Sequence, residues 1–255
     1  MVHTTVHRDP RNARGPVPAQ RRDAHVCPPT PGVEYRRGMT RGFDVAGAAL
    51  LFDMDGTLVD STAVVEQIWA EFADRYGADP HEVLRHAHGR LTIDTVRRFL
   101  PPAVDAHVAA AELDADELER LTGIVEVPGA ADLLRALQGA PLAVVTSASR
   151  ELARRRMAAA GVASPSVVIA AEDVTSGKPS PEGYQRAATI LGVAPQDCVV
   201  FEDAEAGLYA ALASGGRPVV VGGHTSAATD GLPRLTDFSG LKVIRADGLI
   251  RLVRP

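Results

Sequence analysis

Lysine is almost missing from this chain: among its 27 lysines and arginines only Lys178 and Lys242 are lysines. A sequence that takes nearly all its positive charge from arginine places lysine where a compact, strongly hydrated point charge is wanted, so Lys178 is marked before any motif is considered. Cysteine is as scarce. Cys27, in a proline-rich stretch, and Cys198, in an apolar run, make no disulfide framework and fit a reducing cytoplasm. No segment approaches the roughly 20 uncharged apolar residues a membrane helix needs, and the N-terminal region lacks the apolar core of a secretory signal. Arg36-Arg37 ahead of an apolar run could pass for a twin-arginine export signal, but that run holds Arg41 and Asp44 and ends in acids, so it reads as a core strand. The expected setting is the cytoplasm, away from membranes.

Residues 1–42 lack a hydrophobic period of either kind. They are rich in proline, arginine and glycine, and are expected to be a disordered basic tail. Eight arginines against three acids give this tail a charge of about +5 and leave about −10 on the remainder. Such a tail can meet an anionic surface, yet it has no interleaved aromatics and no fold, so no nucleic-acid partner is expected. Met39 stands just before the first apolar run, and translation starting there is a hypothesis; native mass spectrometry finding earlier residues would sink it. The other residues, in a chain that is 45% hydrophobic and 23% charged, suffice for one large domain or two modest ones.

What is present from residue 48 onward is an alternation of short apolar runs with helical patterns, which predicts an α/β fold with a Rossmann-like, doubly wound parallel sheet. Strands are expected at 48–53, 142–146, 166–170, 198–201 and 218–221, and helices at 130–138, 150–160, 181–191 and 204–214. One interval breaks the alternation. Between Asp60 and Val127 only helical periods occur, with Val64, Val65, Ile68, Trp69, Phe72 and Tyr76 on one stripe and further helices expected at 80–87, 92–100 and 105–122. The expected division is a core of residues 43–60 and 128–255 with an inserted helical cap of residues 61–127. The insertion leaves the sheet directly after an acidic turn, at the edge where open α/β sheets bind ligands, and so reads as a lid.

That turn is the FDMDGTLVDS segment of residues 52–61. Asp53 and Asp55, two apart at the end of an extended run, point to one side, and paired acids so close invite a divalent cation or a shared proton. Three further groups stand at strand ends or a helix start. Thr146 and Ser147 follow an apolar strand with a hydroxyl and amides suited to phosphate oxygens, although Ser149 is an alternative helix cap there. Lys178 lies in SGKPSP, with Pro181 placing a positive helix end beside its ammonium, which suits a transferring phosphoryl group. Glu202 and Asp203 end another apolar strand, where carboxylates are costly unless paired or bound to metal, and with Asp53 they make an all-oxygen set suited to Mg²⁺.

The order DMDGT, Thr-Ser, GKP, Glu-Asp resembles the haloacid dehalogenase superfamily of aspartate-nucleophile phosphatases, over about residues 48–221. The place of the insertion resembles the branch with β-phosphoglucomutase and small sugar or polyol phosphatases. The resemblance implies a mobile four-helix cap and Mg²⁺ dependence. It implies Asp53 as nucleophile, Asp55 as acid/base, Thr146 and Lys178 as phosphoryl ligands with Ser147 assisting, and a metal held by Asp53, Asp203 and the backbone carbonyl of Asp55, with Glu202 as ligand or outer acceptor. Absences narrow the branch. Asp55 argues against dehalogenases, and the lack of lysine between Asp60 and Val127 excludes a Schiff-base phosphonoacetaldehyde hydrolase. Val65 stands where the mutase has a histidine, which favours hydrolysis over the phosphosugar mutase alternative. His88 and Arg90, in His-Gly-Arg followed by Thr92, resemble the cap loop of phosphatases acting on 2-deoxyglucose 6-phosphate and glycerol 3-phosphate. The expectation is a monomeric Mg²⁺-dependent phosphatase for a small phosphorylated sugar or polyol. A receiver domain, with its acid pair ahead of the acceptor aspartate and about half the length, fits poorly, as does a fold kept only for binding.

Overall fold

The apolar run ahead of the acidic turn becomes the central strand of a parallel sheet. The computed structural model describes residues 42–255 together with Met1; the basic tail apart from its two ends, Cys27 and the Met39 start lie outside the described residues. In chain order these residues form β1 (Phe43–Gly47), β2 (Ala49–Phe52), β3 (Val59–Asp60), α1 (Thr62–Tyr76), α2 (Pro80–Ala87), α3 (Thr92–Phe99), α4 (Ala106–Glu119), β4 (Val125–Glu126), α5 (Ala130–Ala136), β5 (Leu142–Val145), α6 (Arg150–Ala159), β6 (Val167–Ile169), α7 (Glu182–Leu191), β7 (Cys198–Glu202), α8 (Glu205–Ser214), β8 (Arg217–Val221), β9 (Arg234–Leu235), β10 (Lys242–Ala246) and β11 (Leu249–Arg254).

Six parallel strands lie in the order β6-β5-β2-β7-β8-β9. The chain leaves β2 for β5 on one side and later returns to β7 on the other, so the end of β2 is the topological switch point, where such sheets open a crevice. Side chains alternate across β2: Leu50 and Phe52 join Val144, Val199 and Phe201 in one buried cluster, while Ala49 and Leu51 join Ala143, Val200 and Tyr184 in another. Both faces are covered, which is why these strands read as continuous apolar runs. Phe52 and Phe201 stack at 4.7 Å between ring centroids, and burying each contributes roughly 1.5–3 kcal/mol.

A second sheet, β1-β11-β10, is antiparallel and differs from the expectation. The strand expected at 48–53 is preceded by a separate one, and the C-terminal pair was not anticipated. Its hairpin turns at Asp247-Gly248, both at positive φ (52° and 75°), a turn that the Asp-Gly pair signals locally.

Between β3 and β4, themselves paired antiparallel, stand the four helices α1 to α4. They bury Trp69, Phe72, Ala73, Val83, Val96, Ala109 and Ala110 against one another, in a cluster separate from those of the sheet. No helix among the described residues is long and apolar enough to cross a membrane.

Candidate active site

Asp53 follows directly on β2 and is buried. Its backbone N–H donates to the Phe201 carbonyl of β7 at 2.9 Å, so the ladder that fixes β2 against β7 also fixes Asp53 beside the acids ending β7. Lys178 Nζ donates to Asp53 Oδ1 and, at 2.7 Å, to Glu202 Oε1. Glu202 is wholly buried and all its acceptor capacity is taken up: Tyr184 Oη donates to Oε1 at 2.5 Å, and the Asp203 and Ala204 amides donate to Oε2 at 3.2 and 3.4 Å. Gly207 makes room for this, because a Cβ there would run into the Glu202 carboxylate. Thr57 Oγ1 donates to Asp203 Oδ1 at 3.2 Å, and a Cβ on Gly56, whose φ is +84°, would strike the same carboxylate.

Oxygens of Asp53, Glu202 and Asp203 all lie within 4.8 Å of one another. One ammonium faces three carboxylates. Burial, opposed by Lys178 and assisted by Glu202 and Asp203, pushes Asp53 well above the ordinary carboxylate range. Burial and Glu202 push Asp203 up to about 7. Burial alone would lower Lys178, but Asp53 and Glu202 more than offset it and raise it. An all-oxygen, buried cluster with excess negative charge has the donor chemistry of a hard divalent cation site.

The Asp55 carboxylate stands outside that cluster. Ser61, at the N-terminal cap position of α1, makes no capping bond and instead donates to Asp55 Oδ1 at 2.6 Å; Arg156 Nη1 donates to the same oxygen at 3.0 Å. Thr146 and Ser147 leave the capping of α6 to Ser149, whose hydroxyl accepts from the Leu152 amide. Thr146 Oγ1 accepts from the Ala148 amide at 3.1 Å, and Ser147 Oγ reaches the carbonyl of Gly89 in the helical segment at 2.8 Å. The loop that presents Lys178 is pinned by Glu182, which accepts the Thr175 and Ser176 amides at 2.9 Å each.

Asp53, Asp55, Thr146, Ser147 and Asp203 line a cavity of about 120 Å³ whose opposite side is made by Val65, Trp69, His88, Arg90 and Thr92. The structure therefore brings the strand-end residues and the residues of the helical segment to one space. Burial holds His88 below its ordinary value.

Sequence reasoning missed Arg156 and Glu117, which also line this cavity. Their signal was periodicity: Arg156 shares the buried stripe of α6 with Leu152, Ala153 and Met157, whereas Arg154 and Arg155 pair outward with Glu151. Glu117 falls seven residues after Ala110 on the buried stripe of α4.

Comparison with known proteins matches residues 48–215 to the haloacid dehalogenase-like hydrolase family. The chain is 45% identical to hexitol phosphatase A of Escherichia coli, over 67% of this chain and 81% of that protein. It is 37% identical to 2-deoxyglucose-6-phosphate phosphatase 1 of Saccharomyces cerevisiae, over 65% and 76% respectively. Among solved structures it is similar to CbbY from Rhodobacter sphaeroides in complex with phosphate, with a TM-score of 0.63 and 28% identity over 76% of this chain and 95% of that one.

Proposed function

The chain belongs to the haloacid dehalogenase-like hydrolase family, and from that premise we propose that it is a Mg²⁺-dependent phosphatase that hydrolyses a small phosphorylated sugar or polyol through a phosphoryl ester of Asp53. The observation that carries this reading is the buried cluster at the switch point: Asp53 held by Lys178 beside Glu202 and Asp203, with Asp55 facing the same cavity. The names of the two relatives, a hexitol phosphatase and a 2-deoxyglucose-6-phosphate phosphatase, support a sugar or polyol ester.

An Asp53 oxygen attacks phosphorus in line with the ester bond. As the new P–O bond forms, the bond to the leaving oxygen breaks and Asp55 gives that oxygen its proton. Asp55, now a carboxylate, takes a proton from water; the water oxygen attacks phosphorus and releases Asp53 and inorganic phosphate. Lys178 and Thr146 hold the phosphoryl oxygens, with the Met54 and Ser147 amides assisting. Asp53, Asp203 and the backbone carbonyl of Asp55 would hold Mg²⁺, which would supply positive charge to offset that of the nucleophile and the phosphate. Glu202, with its acceptor capacity already taken, orients Lys178 and the turn after β7. The helices α1 to α4 act as a lid over the cavity, and the enzyme works as a cytoplasmic monomer on a freely diffusing ester.

The test is phosphate release from a panel of hexose, pentose and polyol phosphates, with and without Mg²⁺. Release that disappears with EDTA and returns on adding Mg²⁺ is expected. Isomerisation of glucose 1-phosphate without hydrolysis would replace this reading with the mutase one.

Arg90 projects from the lid loop into the cavity, where it can meet the sugar hydroxyls. Arg90→Ala is expected to lower the ratio of kcat/KM for the best sugar ester over that for a small aryl phosphate by about tenfold. Steady-state kinetics on both esters check this, and an unchanged ratio would remove Arg90 from leaving-group recognition.

A further inference from the structure

Across the cavity from the Lys178 cluster lies a second charged group that the mechanism leaves without a task. Arg156 is only 3% exposed. Its Nη1 donates to Asp55, and its Nη2 lies 3.3 Å from Glu117 Oε1. The alignment with Glu117 is poor enough that Nη2 makes no hydrogen bond, and Nε also has no partner, although both atoms are out of water. Glu117 comes from α4, is 7% exposed, and is pushed up to about 7 by burial, against the pull of Arg156.

A buried ion pair of this kind is a poor way to tie a lid to a core, since apolar side chains of similar volume do that without the desolvation cost. Unmade guanidinium bonds are costlier still. A hydroxyl resolves both faults, because it accepts a hydrogen bond while donating another. With α4 lifted slightly to make room beside these closed-off atoms, one hydroxyl seated here can accept from Arg156 and donate to Glu117. Arg156 also touches Asp55, whose other neighbour during turnover is the leaving oxygen. A hydroxyl in this position therefore belongs to a carbon close to the phosphorylated one.

We propose that Glu117 and Arg156 form the leaving-group subsite, reading a hydroxyl near the phosphorylated carbon of a sugar or polyol ester. The inference rests on the phosphatase reading above. Glu117 belongs to the helical segment, whereas Arg156 and Asp55 belong to the sheet domain, so the subsite is complete only with the two in contact. An ester without the hydroxyl leaves buried charged groups unpaired, and this makes the subsite a selector.

The experiment compares kcat/KM for the best polyol or sugar phosphate with that for an alkyl phosphate of the same chain length, in the wild type, in Glu117→Gln and in Arg156→Lys, with thermal melting in parallel. The wild type is expected to favour the hydroxylated ester about a hundredfold or more. Each variant is expected to lower that ratio at least tenfold, so a folding failure in one leaves the other to decide. Equal losses on both esters, or an unchanged ratio, would overturn the subsite and leave the pair as a tie between lid and core. A wild type that hydrolyses both esters equally well would overturn the subsite while leaving the phosphatase intact. A wild type that hydrolyses no ester overturns the phosphatase reading, and the inference with it.

Discussion

Asp53→Asn is expected to lower kcat by about 10⁴-fold or more while leaving the fold intact. The substitution is isosteric and keeps a group able to accept from Lys178, so the strand ladder and the buried cluster lose no volume. What it removes is the nucleophilic oxygen. An amide cannot form the phosphoryl ester, and loss of a covalent nucleophile costs many orders of magnitude in enzymes that depend on one. Asp53 is also one of three clustered carboxylates, two of them buried and Asp203 half-buried, that face the Lys178 ammonium, so its neutralisation relieves repulsion in the metal-free protein. The thermal midpoint without Mg²⁺ is therefore expected to stay level or rise, the usual relation between a strained active site and stability. Phosphate release assays and melting curves check the two halves. Activity within tenfold of the wild type would refute Asp53 as nucleophile; a large fall in midpoint would refute the view of the cluster as overcharged.

Lys178→Met has the opposite profile in stability. It preserves much of the buried stem but withdraws the ammonium that touches both Asp53 and Glu202. Breaking a buried ion pair from one side leaves uncompensated charge, at a cost of about 3–5 kcal/mol. Mg²⁺ held by Asp53 and Asp203 is expected to recover part of the loss, so the variant gains more from Mg²⁺ in a denaturant titration than the wild type does. Turnover is expected to fall by about 10²- to 10³-fold, as when one preorganised donor to the transition state is removed. A variant as stable as the wild type without metal would show that Tyr184 and the Asp203 and Ala204 amides alone satisfy Glu202.

Much of this was legible in the chain because each motif residue follows a buried strand or stands next to a helix start. Continuous apolar runs mark strands covered on both faces, and a polar residue ending such a run must emerge at the edge of the sheet. Asp53, Thr146 and Asp203 were located that way. The antiparallel sheet was not, since β1 holds Asp44 and Gly47 within five residues and β10 is largely exposed, so neither carries a strong apolar alternation. The Asp247-Gly248 turn was the local clue.

The sequence by itself determined the alternating strands and helices, the helical interruption after the acidic turn, and the order of residue types that defines the family. Those follow from hydrophobic period and from short-range backbone preference, both of which act within a few residues. Only the tertiary structure decided that Lys178 spans Asp53 and Glu202, that Ser61 serves Asp55 instead of its own helix, and that Glu117 and Arg156 meet. These contacts join residues up to 125 positions apart. They depend on strand order and on where the helical segment comes down, and no local period along the chain encodes either.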